Sequence, residues 1–242
     1  MIVVYDGSFE GFLSIVYEVY YAKLRVDEIR TQKPHSLFHD DIFEVYTNNQ
    51  NAKKVFDAIV KNFSKKYLRF VMHIFMCDDA NFEIHLLNYI ILGFTDQRCL
   101  EDINHPSVFF LQNLEKEYFR LYHKMIAFLR FEELEDESLY AKLDVKYNLL
   151  SAVASHFSKR FNNQNFIIHD LKRGFAFVHT KAFKGIRTVA SYDLPEYSKN
   201  ELKFKKLWKT FFQSVSIESR ENLKLQQQHV PLIYRAYMSE FH

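Results

Sequence analysis

Two cysteines in 242 residues, Cys77 and Cys99, are too few for a disulfide framework, and neither stands in a C-x-x-C or other metal-ligand spacing. A reducing cytoplasm is the expected location. Long apolar runs are missing too. Phe70–Met76 is broken by His73, and Tyr89–Phe94 is far shorter than a bilayer requires. The amino terminus lacks the basic and apolar regions of a secretory signal. Glycine is scarce, with five in the chain. None forms G-x-x-x-x-G-K-[ST], G-x-G-x-x-G or G-x-S-x-G, so the motifs of a P-loop, a dinucleotide fold and a nucleophile elbow are absent. A large net charge is lacking as well: at +2 the molecule is no polycation.

What is present is aromatic. The chain holds 25 Phe and 15 Tyr, which argues for a dense interior and some stacking surface. At 48% hydrophobic and 26% charged it reads as an ordinary globular chain, long enough for one large domain or two small ones. Charge is unevenly placed. Glu132 to Glu137 carries five acids in six residues. Asp144 to Ala190 has eight Lys/Arg against two Asp, and Lys199 onward has eight against four Glu. A basic carboxyl-terminal half is weak evidence for an anionic partner.

Periodicity gives the elements. Ile2–Tyr5 reads as a buried strand, followed by a helix with Phe9, Phe12, Leu13, Val16, Val19 and Tyr20 on one stripe. Glu28–Gln32 and Ile42–Tyr46 read as strands around a loop at Pro34. Helices follow over Asn51–Glu101, and Pro106 opens another. Alternation in Ala127–Glu132 and Leu139–Val145 predicts a β-hairpin with one buried face, Tyr140, Lys142 and Asp144 lying on the other. A helix carrying Leu149, Leu150, Val153, Phe157 and Phe161 inward comes next, then strands over Phe166–His169, Phe175–His179 and Phe183–Val189. Leu194-Pro195 is a connector. Ser198 and Glu201 fit a capping box for a helix that buries Phe204, Leu207, Trp208, Phe211 and Phe212 and exposes its lysines. Pro231 suits the first turn of a last helix. The expected class is α+β, with a helix-rich first half, an antiparallel sheet with a packed helix in the second, and carboxyl-terminal helices. The regions run 1–105, 106–195 and 196–242, or form one continuous domain.

Two of the five glycines, Gly7 and Gly11, sit in Tyr5-Asp6-Gly7-Ser8-Phe9-Glu10-Gly11. Asp6 or Ser8 can cap the helix, with Gly7 permitting the turn and Gly11 admitting a neighbouring backbone or bulky side chain. Tyr5, Asp6 and Glu10 can also form an acid site, although a cap with solvated carboxylates is the simpler reading. His156 and Arg160 lie one helical turn apart and can grip a phosphate; an ordinary polar helix face accounts for them equally. His123 is a lone histidine. His169 and His179 can meet across a hairpin, but no set of metal ligands is completed, so neither metal nor cofactor is expected. The acid–base candidates are therefore Asp6, Glu10, His123 and His156. For nucleic-acid phosphates they are Arg160, Arg173, Lys203 and Lys206.

The run Tyr5–Leu13 resembles a family of bacterial DNA metabolism proteins. The resemblance continues through His123, Phe128-x-Arg130-Phe131, His156-Phe157-x-x-Arg160-Phe161, Asp170-x-x-Arg173 and Leu207-Trp208-x-x-Phe211-Phe212. It ends in Arg220-x-Asn222, Gln228, Pro231, Tyr234 and Glu240-Phe241, and so covers essentially the whole chain. It implies an accessory component of a DNA repair or modification system. Such proteins are encoded beside a radical S-adenosylmethionine protein, and a related block is fused to a uracil-DNA-glycosylase-like domain. DNA and those proteins are thus the implied partners. The chain has no C-x-x-x-C-x-x-C triad, so radical chemistry would belong to the partner. An enzyme acting on a nucleobase or phosphodiester, and a purely structural adaptor, are the rival readings.

Overall fold

Ile2-Val3-Val4 is apolar without alternation, which suits a strand covered on both faces. It forms β1 (Ile2–Val4), the centre of a three-stranded parallel sheet between β2 (Glu28–Arg30) and β3 (Ile42–Glu44). The computed structural model describes residues 1–33, 42–78, 81–189, 196–217, 219 and 222–241. The loop at Pro34, the Leu194-Pro195 connector and Arg220 lie outside the described residues. The chain divides into two compact units, Met1–Phe119 and Arg120–His242.

In the first unit, α1 (Phe9–Tyr21) links β1 to β2 and is buried from Gly11 to Val16. Even Ser14 is buried there. Its hydroxyl donates to the Glu10 carbonyl at 2.8 Å and accepts from the Asn48 amide at 3.0 Å. Beyond Val16 burial stops, and Tyr20, expected inward, is exposed. A phenol tolerates water at its hydroxyl end, so helical spacing alone does not fix its side. Three helices follow: α2 (Asn49–Asn62), α3 (Lys65–Phe75) and α4 (Phe82–Thr95). Asn48 and Ser64 cap the first two with their side chains. Pro106 opens α5 (Pro106–Phe128) as its first residue, and the division between the units falls within that helix.

The second unit contains a five-stranded sheet in the order β4-β5-β6-β7-β8. Its strands are β4 (Glu132–Glu133), β5 (Leu139–Leu143), β6 (Phe166–Asp170), β7 (Phe175–His179) and β8 (Lys184–Thr188). The α+β class holds, but the sheet is mixed. β5 and β6 run parallel, joined by α6 (Leu150–Arg160), while the other pairs are antiparallel. Rings of Phe131, Phe157, Phe161, Phe166 and Phe177 interlock beneath α6 with centroids 4.8 to 6.1 Å apart.

Three expectations are corrected here. Ala127 and Phe128 belong to α5, because the apolar set Leu121, Met125, Phe128 continues its helical stripe. Arg130 then caps the helix end, donating to the Ala127 carbonyl at 3.0 Å. Tyr140 is buried although alternation put it outside. Its hydroxyl and His169 Nδ1 form a 3.0 Å hydrogen bond, which allows a polar tip to be enclosed. His169 and His179 do not face each other: His169 opposes Ala176, whereas His179 opposes Phe166 and packs edge-on against its ring.

Candidate functional site

α7 (Lys199–Ser214) begins at Ser198, whose hydroxyl accepts from the Glu201 amide at 3.0 Å. The second half of the expected capping box is not made. Glu201 instead accepts from the Glu133 amide at 3.0 Å, and Ser198 N donates to the Glu133 carbonyl at 3.0 Å. Lys205, expected exposed, is half-buried and ion-paired with Glu132. These bonds hook the start of α7 onto β4.

No residue of α7 is buried. Phe204 is 62%, Leu207 65%, Trp208 42% and Phe211 54% exposed, which corrects the expectation of an inward apolar stripe. The stripe exists at helical spacing and is covered only in part: the Phe212 ring meets that of Phe241 at 5.8 Å, and Trp208 hydrogen-bonds Glu240, both in the turn Ser239–Phe241. On the same helix Lys199, Lys203 and Lys206 recur at intervals of four and three, so they share a face of their own, turned away from the one that carries Phe204, Trp208 and Phe211. Lys203 and Lys206 are exposed.

Several residues of the sequence resemblance hold this region in shape. Arg130 Nη2 donates to Glu240 Oε1 at 2.7 Å. Burial pushes the Glu240 carboxyl up, but hydrogen bonds from Arg130 and Trp208, with the Arg130 charge, hold it below its ordinary value. Asn222 caps α8 (Leu223–His229) by accepting from the Leu225 amide at 2.9 Å. Pro231 precedes α9 (Leu232–Arg235), and the Tyr234 ring lies 6.1 Å from that of Phe128.

The other phosphate candidates separate. Arg160 is exposed at the end of α6, and His156, one turn earlier, is half-buried with its ring edge-on to Phe157. Arg173 is not offered to solvent. Its guanidinium donates to Asp170 at 3.2 Å and to the carbonyls of Val145 and Lys146 at 3.3 and 2.6 Å. His123 is exposed on α5, beside Tyr122.

The Asp6 turn belongs to the first unit. Gly7 takes φ +79°, and Ser8 caps α1 by accepting from the Gly11 amide at 2.9 Å. Asp6 Oδ1 accepts from the Ser8 hydroxyl at 2.6 Å and the Ser8 amide at 2.9 Å; Oδ2 accepts from the Thr47 hydroxyl at 2.6 Å. The Ser8 and Thr47 hydroxyls hold the carboxyl below its ordinary value. Asp6 is therefore the latch of a strand-to-helix corner. A Cβ on Gly11 would lie 2.3 Å from Asp6 Oδ1, 2.9 Å from Thr47 Oγ1 and 3.0 Å from Ser8 Oγ. What Gly11 accommodates is thus three small polar groups, not a backbone or a bulky side chain. Glu10 is exposed, with no ion pair among the described residues.

The sequence reading missed Glu83. It is buried in the first turn of α4 and accepts from the Tyr5 hydroxyl at 3.3 Å. Burial raises both groups, and the neighbouring Glu83 raises Tyr5 further. The available signal was one acid inside the apolar run Phe82-Glu83-Ile84. Because the folded carboxyl holds its proton more tightly than the unfolded one, stability falls as pH rises from the unfolded value through the folded one. Glu83→Gln is therefore expected to raise stability at pH 7 and to leave it unchanged near pH 4. Urea melts at the two pH values check this, and equal effects at both would refute it.

Among the described residues no group of three or more His, Cys, Asp and Glu side chains is arranged to hold a metal, and no helix is long and apolar enough to cross a membrane. The molecule is thus an α+β protein with a latched strand-to-helix corner and a helix, α7, that exposes both lysines and aromatic rings. Residues 80–240 match the model of a domain family described as a domain of unknown function, DUF4130, and the chain belongs to that family. No curated protein matches it.

Proposed function

We propose that this protein is an accessory component of a DNA repair or modification system and binds single-stranded DNA through α7. The observation that carries the reading is one helix that exposes Phe204, Trp208 and Phe211 on one face and Lys199, Lys203 and Lys206 on another. Sequence-tolerant single-strand binding combines these two parts: cations that follow the backbone and rings on which bases stack. Arg160 is a further exposed contact, whereas Arg173 is occupied by Asp170. The setting, with a radical S-adenosylmethionine protein as partner and a uracil-DNA-glycosylase-like domain as an associated module, rests on the sequence resemblance. An adaptor would call for an apolar patch without basic character, and the helix that carries these rings also exposes lysines. For the enzymatic reading, the Asp6 carboxylate is already latched by the Ser8 and Thr47 hydroxyls.

Fluorescence anisotropy on a single-stranded oligonucleotide across a salt series tests α7. Lys203→Glu with Lys206→Glu is expected to weaken binding and flatten the log–log salt slope by about 1.4, at roughly 0.7 per single-strand phosphate contact. Phe211→Ala is expected to weaken binding about tenfold with the slope unchanged, since stacking releases no counterion. Unchanged affinity and slope in the lysine variant would reject α7 as the contact. Co-purification with the radical protein, followed by DNA binding of each alone and together, tests the accessory role.

A further inference from the structure

A cleft of about 640 Å³ opens in the first unit among α1, α2, α4 and the turn that follows. We propose that it binds a nucleobase that carries a phosphate, either as a free mononucleotide or as one base of a single strand. The inference does not rest on α7, which lies in the other unit.

The walls carry the argument. Tyr17 and Tyr21 stand one turn apart on α1 with ring centroids 4.4 Å apart and planes inclined at 33°, and Tyr20 meets Tyr21 edge-on at 5.2 Å. Val16 and Val55, both buried, also line the cleft. Tyr20 and Tyr21 are each more than half exposed, so their faces can take a stacked ring. Water-exposed phenols held together in this way are a ready platform for a planar heterocycle. Lys54 Nζ lies 5.7 Å from the Tyr17 ring centre, and Lys23 Nζ lies 5.2 Å from that of Tyr20. Neither lysine has a carboxylate partner among the described residues, so both can receive an anionic group attached to the stacked ring. Asn62 and Gln97 line another wall. Their amide nitrogens donate to the carbonyls of Ala58 and Asn62 respectively. Their amide oxygens have no hydrogen bond among the described residues, and such acceptors suit the exocyclic amine of cytosine or adenine. The volume lies within the usual range of roughly 300–1,000 Å³ for a small-molecule site.

Titration calorimetry of the full chain with CMP, AMP, TMP, cytidine and ribose 5-phosphate tests this, with a short oligo(dC) as the strand probe. CMP or AMP is expected to bind better than TMP, and ribose 5-phosphate, lacking a ring, is expected not to bind. Tyr21→Ala is expected to weaken binding at least fivefold, the low end of what a lost base stack contributes. Lys54→Met is expected to weaken CMP but not cytidine. A Tyr21-dependent signal with the mononucleotide identifies a free nucleotide as ligand; the same signal with oligo(dC) alone identifies a base of a strand. The proposal is overturned if neither probe binds, or if Tyr21→Ala and Lys54→Met leave binding intact. It is also overturned if the Lys203→Glu, Lys206→Glu variant abolishes mononucleotide binding while Tyr21→Ala does not. Mononucleotide binding that survives the α7 variant separates this site from the single-strand reading, whichever of the two fails.

Discussion

Arg173→Met is expected to lower the unfolding free energy of the second unit by about 3 kcal/mol, because it strands a buried charge. Asp170 is fully buried at the end of β6, and the Arg173 side chain is only 11% exposed. The guanidinium neutralises that carboxylate at 3.2 Å and also satisfies the carbonyls of Val145 and Lys146. Methionine keeps the aliphatic bulk and removes all of this, while the Arg173 backbone amide still donates to Asp170 at 3.1 Å. Burial of an uncompensated carboxylate outweighs the modest worth of the pair itself, so the double variant Asp170→Asn, Arg173→Met should lose less than the two single losses added together. For a unit of this size the thermal midpoint should fall by about 10 °C. Urea unfolding followed by circular dichroism measures the effect. A loss below about 0.5 kcal/mol, accompanied by weaker DNA binding, would return Arg173 to the list of phosphate contacts.

The second large effect is expected at the Asp6 corner, where Gly11→Leu should cost about 3 kcal/mol. Alanine at a helical glycine ordinarily gains about 1 kcal/mol. At Gly11 that gain is opposed, since even a Cβ would come within 3.0 Å of oxygens of Asp6, Ser8 and Thr47, and the Ser8 and Thr47 hydroxyls both donate to the Asp6 carboxylate. Asp6 can yield only by surrendering the hydroxyls of Ser8 and Thr47, and Ser8 can yield only by uncapping α1, a loss of about 1 kcal/mol. Gly11→Ala should therefore lose less than Gly11→Leu, and adding Asp6→Ala should recover part of the deficit by emptying the space. A Gly11→Leu chain that melts like the parent would show that the latch bears no weight.

The residue pattern of the corner was legible because its chemistry is local. Glycine at positive φ, serine accepting from the third amide on, and an apolar strand before it are all contiguous in Ile2–Gly11. The partner that locks the corner was not legible, since Thr47 lies 41 residues from Asp6 in sequence and nothing in either residue's neighbourhood names the other. Glu83 and Tyr5, 78 residues apart, are hidden for the same reason.

Periodicity by itself determined where most helices and strands run: α2 to α6 and β6 to β8 fall close to where apolar spacing puts them, because a helix or strand must repeat its buried side at its own period. Periodicity says which residues share a face, and only the tertiary structure decides whether anything covers that face. Phe204, Leu207, Trp208 and Phe211 form the stripe that the sequence describes, yet they remain exposed because the hooks to β4 run through Glu201, Lys205 and Ser198 instead. Tyr140 shows the converse, a residue whose polar tip is buried because His169 on the neighbouring strand receives it. The α+β class and the basic carboxyl-terminal half were properties of the sequence. That α7 leaves both rings and lysines exposed, and that α1 ends in a stack of phenols over an open cleft, were decided by which faces the packed elements left to solvent.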